Sequence, residues 1–382
     1  MKVLQVHNMI SPHQMPVAKR LREQVGHDNF RFAAIGAPSV ERRRMGWHFE
    51  ADHEWILDLS RSSRDRHEFE AWWDSADIVL TGERILPLIR RRTRHGKLTA
   101  YTNERWWKPP LGRLRLLHPR ILASVLAFRT CAKTGKFFFL ANGKAAAEDL
   151  AGVAGLQRVT RKWGYFVEPP ADFELTSDKH KSTTILYAGR MLSWKRVDTL
   201  VLAFREVLTK VPDAKLILVG DGTTRKSIIS LVDRVGLAGS VEMVPHEAMH
   251  NVWNRMNKCS IFVLPSNSAE GWGVVVNEAM SRGCVVVAGR TTGAASFLIN
   301  HGKNGYTYTS GDSAALAAII ISFSSNPYIK DLIAKNAIAS ARELWSPETA
   351  AKRFLDVFSA NIDKKMEPQY EDGPMSRIGI VR

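Results

Sequence analysis

The chain has 382 residues, 45% hydrophobic and 24% charged; this is ordinary for a globular protein, too long for one core and natural for two domains. The net charge of +16 is uneven: residues 1–170 carry 29 Lys and Arg against 17 Asp and Glu (+12), and residues 171–382 carry 25 against 21 (+4), so the first half could face an anionic membrane, a phosphate-bearing acceptor or nucleic acid. No run approaches about 18 apolar residues, the N-terminus lacks a signal-peptide pattern, and Cys131, Cys259 and Cys284 have no metal-type spacing; we expect no transmembrane helix, reduced packing thiols and a cytoplasmic location.

In chain order, Val3–His7 reads as a short apolar strand, followed by the loop Asn8–His13 and a helix over Gln14–Gln24. Further strands are expected at Phe30–Ile35, Trp55–Leu59, Ile78–Thr81, Leu98–Tyr101 and Phe137–Ala141, with helical patterns between most of them. This alternation argues for a doubly wound sheet over residues 1–167. Polar, proline-bearing residues 168–181 read as an interdomain linker. The alternation restarts in 182–345: strand Thr184–Ala188, helix Lys195–Thr209, strand Lys215–Val219, helix Thr224–Val235, strand Val241–Val244 and helix Glu247–Met256. Strand Ile261–Pro265, loop Ser266–Gly273, helix Val274–Arg282 and strand Cys284–Ala288 then form one βαβ unit. Strand Gly305–Thr307 and helices Ser313–Ser324 and Pro327–Leu344 follow. A last helix, 346–362, is expected to pack back toward the N-terminal domain, and 363–382 to be a mobile tail.

Two consecutive α/β domains present a cleft between their strand ends, where ligands of such sheets bind. Arg190 and Lys195, in AGRMLSWKR, follow the first strand of the second domain. A loop before a helix N-terminus offers free N–H groups, and the two cations suit a pyrophosphate; they could equally be surface charges. Gly220 and Gly222 in VGDG allow a tight turn where a nucleoside could lie, although glycine at a strand end is common punctuation. Neither GxGxxG nor a P-loop follows a strand. Glu270 and Glu278 could be a paired acid and base, as in glycoside hydrolysis, or could accept hydrogen bonds from sugar and ribose hydroxyls. Glu278 could instead be a helix-surface residue paired with Arg282.

The ordered series AGRMLSWKRVDTLVLAF, LILVGDG, VEMVPH, an apolar strand ending in LPS, EGWGVVVNEAM with its E-x7-E spacing, RGCVVVAG and NGYTY spans about Ile185 to Tyr308. In order and spacing it resembles the retaining GT-B glycosyltransferases of family 4. The resemblance implies an α/β GT-B fold of two doubly wound Rossmann-like domains facing each other across a cleft. It implies a UDP- or GDP-sugar donor, with neither cofactor nor metal. Arg190 and Lys195 would hold the diphosphate, Glu278 the ribose and Glu270 the donor sugar. The backbone of Gly271, Trp272 and Gly273 would support sugar hydroxyls and phosphate, and His246 and Gly220 would lie near the nucleoside.

The match fades in the first domain, where the loop NMISPHQMP lacks the family's frequent glycines. His13 could face the cleft there, although a lone loop histidine is more often a plain surface residue. Asn103 and Glu104 end a strand and could reach the acceptor. Arg105–Phe128 interleaves Trp, Lys/Arg and Leu/Ile on what reads as an amphipathic helix. Such segments lie in membrane interfaces, aromatics at headgroup level and cations on anionic lipid; the other reading is an interior helix with snorkelling arginines. Basic clusters Arg42–Arg44 and Arg90–Arg94 would add to the field. The expected protein is a retaining, metal-independent glycosyltransferase acting on a lipid-linked or surface-polysaccharide precursor, peripheral at the inner membrane face. A nucleotide-sugar 2-epimerase on the same fold is the alternative. A basic nucleic-acid-binding protein is a weaker one, since no RRM, KH or zinc motif is present and no nucleic-acid partner is expected.

Overall fold

The computed structural model describes residues 1–39, 54–108, 110–171, 173–176 and 178–379. It divides into two units, Met1–Glu168 with Trp345–Arg382, and Pro169–Leu344. In the first, strands β1 (Val3–His7), β2 (Phe30–Ala34), β3 (Ile56–Asp58), β4 (Ile78–Thr81), β5 (Leu98–Asn103), β6 (Phe137–Asn142) and β7 (Thr160–Trp163) pair in the order β3-β2-β1-β4-β5-β6-β7. All pairs are parallel. Helices α1 (Met15–Val25), α2 (Ser63–Ser75), α3 (Leu86–Arg94), α4 (Pro119–Ala132) and α5 (Lys144–Ala154) connect the strands. Every residue of β1, β4 and β6 is buried, as expected of parallel strands covered on both faces. The core joins Leu4, Val6 and Val79 to Tyr101, Phe128, Phe137 and Phe139.

The second unit repeats the plan. Strands β8 (Thr184–Ala188), β9 (Lys215–Val219), β10 (Val241–Val244), β11 (Ile261–Leu264), β12 (Val285–Gly289) and β13 (Tyr306–Tyr308) run parallel in the order β10-β9-β8-β11-β12-β13. Helices α6 (Val197–Lys210), α7 (Arg225–Arg234), α8 (Met249–Lys258), α9 (Val275–Ser281), α10 (Gly293–Leu298), α11 (Ser313–Ser324) and α12 (Pro327–Ala339) surround the sheet. α6 starts at Val197, not Lys195, because Arg196 takes a left-handed φ of 50° that breaks the helix. The helix expected over Pro327–Leu344 ends at Ala339 and continues as a π turn, Ser340–Leu344.

In each sheet the strand order reverses beside the first strand, between β1 and β4 and between β8 and β11. Loops leave in opposite directions there, so the carboxyl ends open a crevice suited to a ligand.

Three stretches differ from the sequence reading. All of the expected linker after Glu168 belongs to the second unit: Lys179 and His180 are buried, and Lys179 Nζ donates to the Met256 and Asn257 carbonyls at 2.5 and 3.0 Å. Its polar composition reflects backbone satisfaction, not exposure. The expected mobile tail is instead fastened to β7, a strand its own two cations conceal in the sequence. Met375 N donates to Lys162 O at 2.8 Å, and Lys162 N donates to Ser376 O at 2.9 Å. Arg161, 3% exposed, meets Glu367 at 2.6 Å, and Lys162 meets Asp372 at 2.6 Å. These bonds cap an edge strand that would otherwise expose its ladder groups. The preceding helix, α13 (Pro347–Ile362), packs on α1, where Arg20 bonds Glu348 at 2.9 Å.

The third is Arg105–Phe128, which is not one helix. A 3-10 segment over Gly112–Leu117 precedes α4, and the break falls at His118, before Pro119. Its tryptophans do not stand at a headgroup level. Trp107 is 3% exposed and donates from Nε1 to the Asp149 carbonyl at 2.9 Å, and half-buried Trp106 sits edge-on to Phe128. The Asp149 carboxylate accepts from both tryptophan backbone amides, so the pair is needed inside. Within Arg90–Arg94, Arg92 is buried and donates to the Leu98, Trp73 and Ala76 carbonyls. Arg42–Arg44 lie outside the described residues.

Candidate functional site

The switch point between β8 and β11 brings together Lys195 and Glu270 of the second unit. Lys195 ends a 3-10 turn, Ser193–Lys195, after β8, and Glu270 lies in the loop after β11. Lys195 Nζ stands 2.6 Å from Glu270 Oε2, and each side chain is 13% exposed. Asn267 N donates to the Trp194 carbonyl at 2.8 Å and so ties the two loops together. Tyr187, buried in β8, anchors the other end by donating from its hydroxyl to the Arg190 carbonyl at 2.8 Å. Burial, then the Glu270 charge, pushes the Tyr187 hydroxyl well above its ordinary pKa, while Arg190 opposes it. Arg190 itself is exposed.

The left-handed Arg196, held by Asp198 at 3.0 Å, starts α6 with no side-chain cap. The first amides of a 14-residue helix, from Val197, therefore follow Lys195 with only Arg196 between. Uncapped N–H groups, a helix dipole and an adjacent ammonium make an anion-binding arrangement.

The VGDG turn is packed against this loop. Met191 N donates to Asp221 O at 2.7 Å, and Thr224 N donates to Met191 O at 3.0 Å. A Cβ at Gly220 would lie 2.0 Å from the Gly189 oxygen, and one at Gly222 would lie 2.3 Å from the Met191 oxygen. Glycine is thus required by backbone-on-backbone packing as well as by turning. His246 is exposed, and its backbone N–H donates to Asp221 Oδ2 at 2.7 Å, joining the β10 loop to the same turn.

Downstream of Glu270, two carbonyls of the expected backbone cradle are engaged within the fold. The carbonyls of Gly271 and Trp272 accept from Gly293 and Ala294 N–H at 2.9 Å each. The Trp272 side chain is 1% exposed and donates from Nε1 to Asn277 Oδ1 at 2.9 Å, so it is a core residue. Gly273 has φ 84° and would bring a Cβ to 2.7 Å from Leu264 Cδ2. Glu278 is not a surface residue. It is 4% exposed on α9, and burial pushes its carboxyl up to about 7, against the lowering effects of Trp253 and Arg282. Arg282 approaches the Glu278 carbonyl at 3.4 Å and stacks over the Trp253 ring at 4.5 Å.

The first unit holds a small cavity of about 20 Å³ at the carboxyl ends of its central strands. His13 lines it together with His7, Gln5, Gln14, Asn142 and Tyr165. His7 is not among the residues the sequence alone points to. Burial drives its imidazole down to about 3, so it is neutral. It bonds the Gln5 and Gln14 amides at 3.1 and 2.9 Å. A neutral imidazole has one donor and one acceptor, so one glutamine turns its carbonyl to the ring and the other its amide. The available signal was Gln5 and His7 on one face of an otherwise apolar strand. Asn103 and Glu104 do not line the cavity. Asn103 donates to Tyr101 Oη at 2.6 Å; Glu104 accepts from Tyr165 Oη at 3.1 Å and Lys108 at 3.3 Å.

Residues 171–343 match the family model of the group 1 glycosyl transferases. That span is nearly all of the second unit and contains the Lys195–Glu270 pair and Glu278. An exopolysaccharide phosphotransferase of Streptomyces coelicolor is 25% identical over 187 residues, which are 49% of this chain and 19% of the relative. The lipopolysaccharide core biosynthesis glycosyltransferase LpsD of Rhizobium meliloti is 26% identical over 195 residues, 51% of this chain and 54% of the relative. The chain thus spans about a fifth to a half of the length of these two curated relatives. Anabaena HepE, solved in complex with UDP and with UDP-glucose, is similar with TM-score 0.68 at 19% identity, over 94% of this chain and 100% of that one. The fold is GT-B.

Proposed function

We propose that this protein is a retaining glycosyltransferase of family 4, moving a sugar from a nucleotide diphosphate sugar to an acceptor without a metal ion. The observation that carries the reading is the Lys195–Glu270 contact at the β8/β11 switch point, beside the uncapped start of α6. The group 1 match over these residues, and the UDP complexes of the similar HepE, support a nucleotide-sugar donor, UDP- or GDP-linked.

Lys195, Arg190 and the α6 amides would meet the diphosphate, Glu270 a hydroxyl of the donor sugar and Glu278 the ribose. The bond from the anomeric carbon to the phosphate oxygen breaks as the acceptor oxygen bonds the same face of that carbon. The acceptor proton passes to the departing phosphate oxygen, so no strong protein base is needed. Lys195 and Arg190 stabilise the charge growing on the diphosphate, the kind of electrostatic contribution that is often largest. The His7–His13 cavity, at the carboxyl ends of the first unit's central strands, is where a hydroxyl of the acceptor would be received. Relatives named for exopolysaccharide and lipopolysaccharide work support a lipid-linked or surface-polysaccharide acceptor, met at a membrane surface.

The test is a thermal-shift panel of nucleotide diphosphates and their sugars, followed by turnover of the donor that stabilises. A ligand at 100 times its Kd adds about 2.7 kcal/mol, so one base should stand out. No shift with any nucleotide would remove the proposal. NMR of donor alone separates the epimerase: an epimerised sugar formed without acceptor overturns transfer.

A further inference from the structure

One surface of the first unit is unused by this chemistry. Leu111, Leu114 and Leu117 recur every third residue along the 3-10 segment, the spacing at which side chains eclipse on one face. They are 55%, 65% and 82% exposed. On α4, Leu122 and Leu126, one turn apart, are 48% and 54% exposed, while Val125 and Phe128 face the core. Five of the eleven exposed large hydrophobic residues among those described thus fall within residues 111–126. Five exposed leucines on adjacent segments exceed the scattered single residues that a monomer's surface normally shows.

The charges around them have one sign. Residues 105–147 contain nine Lys and Arg and neither Asp nor Glu. Arg113, Arg120 and Arg129 are exposed, and Arg90 and Arg94 are exposed on α3, which packs against α4. The bordering acids are already engaged, Glu104 by Lys108, Glu148 by Lys144 and Asp149 by Arg105. Each exposed leucine has an arginine within three residues. A second copy of this chain would set like charges against one another, whereas on an anionic lipid surface leucines mixed with arginines let aliphatic chains enter the acyl boundary while guanidinia stay at lipid phosphates. No described helix is long and apolar enough to cross a membrane.

We propose that the leucine face of Leu111–Leu126 docks the protein on an anionic lipid surface, Leu114, Leu117 and Leu126 inserting and Arg113, Arg120 and Arg129 binding headgroup phosphates. The inference deepens the membrane-linked acceptor reading, but its test needs neither donor nor acceptor.

The experiment is flotation of the full chain with phosphatidylglycerol–phosphatidylcholine vesicles and with phosphatidylcholine alone. The expected result is binding to the anionic vesicles only, weakened at least about tenfold by L114S/L117S and by R113E/R120E. Salt near ~1 M, where the Debye length is about 3 Å, should weaken it as well. Both variants should keep the wild-type Tm and any nucleotide-induced thermal shift. Failure to bind anionic vesicles, or full binding by both variants, overturns the proposal. So does a concentration-dependent dimer, seen by light scattering, that L114S/L117S abolishes, since the face would then join two copies. If no nucleotide sugar is turned over yet the vesicle result holds, the transferase reading fails and the docking surface stands.

Discussion

Lys195 Nζ and Glu270 Oε2 lie 2.6 Å apart although they belong to loops after two different strands, β8 and β11. On the proposed function, an arriving diphosphate would compete with Glu270 for the ammonium, and a donor hydroxyl would compete with Lys195 for the carboxylate. Binding the donor would exchange one contact for two.

Substitutions at this pair should therefore separate. Lys195→Ala is expected to shrink the UDP thermal shift and lower donor turnover by about 100-fold. Glu270→Ala should keep the UDP shift and lose turnover. Because the groups touch, the double variant should lose less than the sum of the two. Strict additivity in steady-state kinetics would count against a functional pair.

Glu278 makes stability depend on pH. Its carboxyl is raised from 4.5 to about 7 by burial. Below pH 4.5 it is protonated folded and unfolded, and contributes nothing. Between 4.5 and about 7 the unfolded chain ionises while the folded one keeps its proton, so stability falls as pH rises, by on the order of 3 kcal/mol in total. Glu278→Gln should remove this slope. Urea unfolding at the two ends of the window checks it, and a constant difference between variant and parent would show that Glu278 does not titrate there.

Gly220→Ala places a methyl 2.0 Å from the Gly189 oxygen at φ 139°. We expect a cost above about 2 kcal/mol and a Tm lowered by roughly 5 °C or more. Gly239, where a methyl would meet nothing within 4 Å, is the control, and Gly239→Ala should stay within about 0.5 kcal/mol. Equal melting curves would mean that the β8 and β9 loops yield to the methyl.

Glu367→Ala leaves Arg161 buried without its carboxylate. Glu367 is itself 21% exposed, so the cost should be about 2 kcal/mol, below the range for fully buried pairs. Removing residues 365–382 should cost more, because the edge of β7 is uncovered too. Thermal unfolding measures both, and an unchanged Tm on truncation would show a tail that contributes nothing.

His7→Ala should raise the acceptor KM and leave the UDP thermal shift intact, since His7 lies in the first unit's cavity. A variant with a wild-type acceptor KM would separate that cavity from the acceptor.

Much of the architecture was legible in the sequence because parallel strands buried on both faces leave continuous apolar runs, such as FFFLA and VVVAG. Glycine spacing marked the turns around Gly220, where a Cβ would strike the Gly189 backbone, and Gly273, whose φ of 84° suits glycine. Charge composition also marked the Leu111–Leu126 region, although the break before Pro119 and the inward turn of Trp107 were hidden. Polar composition misled at Lys179 and at the tail, because a polar group bonded to backbone can be buried as readily as an apolar one.

Residue types and their local periods settled most of the strands and helices, though not β7 or the break before Pro119, and showed which loops hold acids and cations. Only the tertiary structure brought Lys195 to Glu270, put Glu278 inside, turned Trp272 into the core and set His7 beside Gln14. The physical reason is that period and composition record what each residue must do against its immediate neighbours. Strand order is decided by packing both faces of a whole sheet, and it is the placement of β8 beside β11 that makes one site from two distant loops.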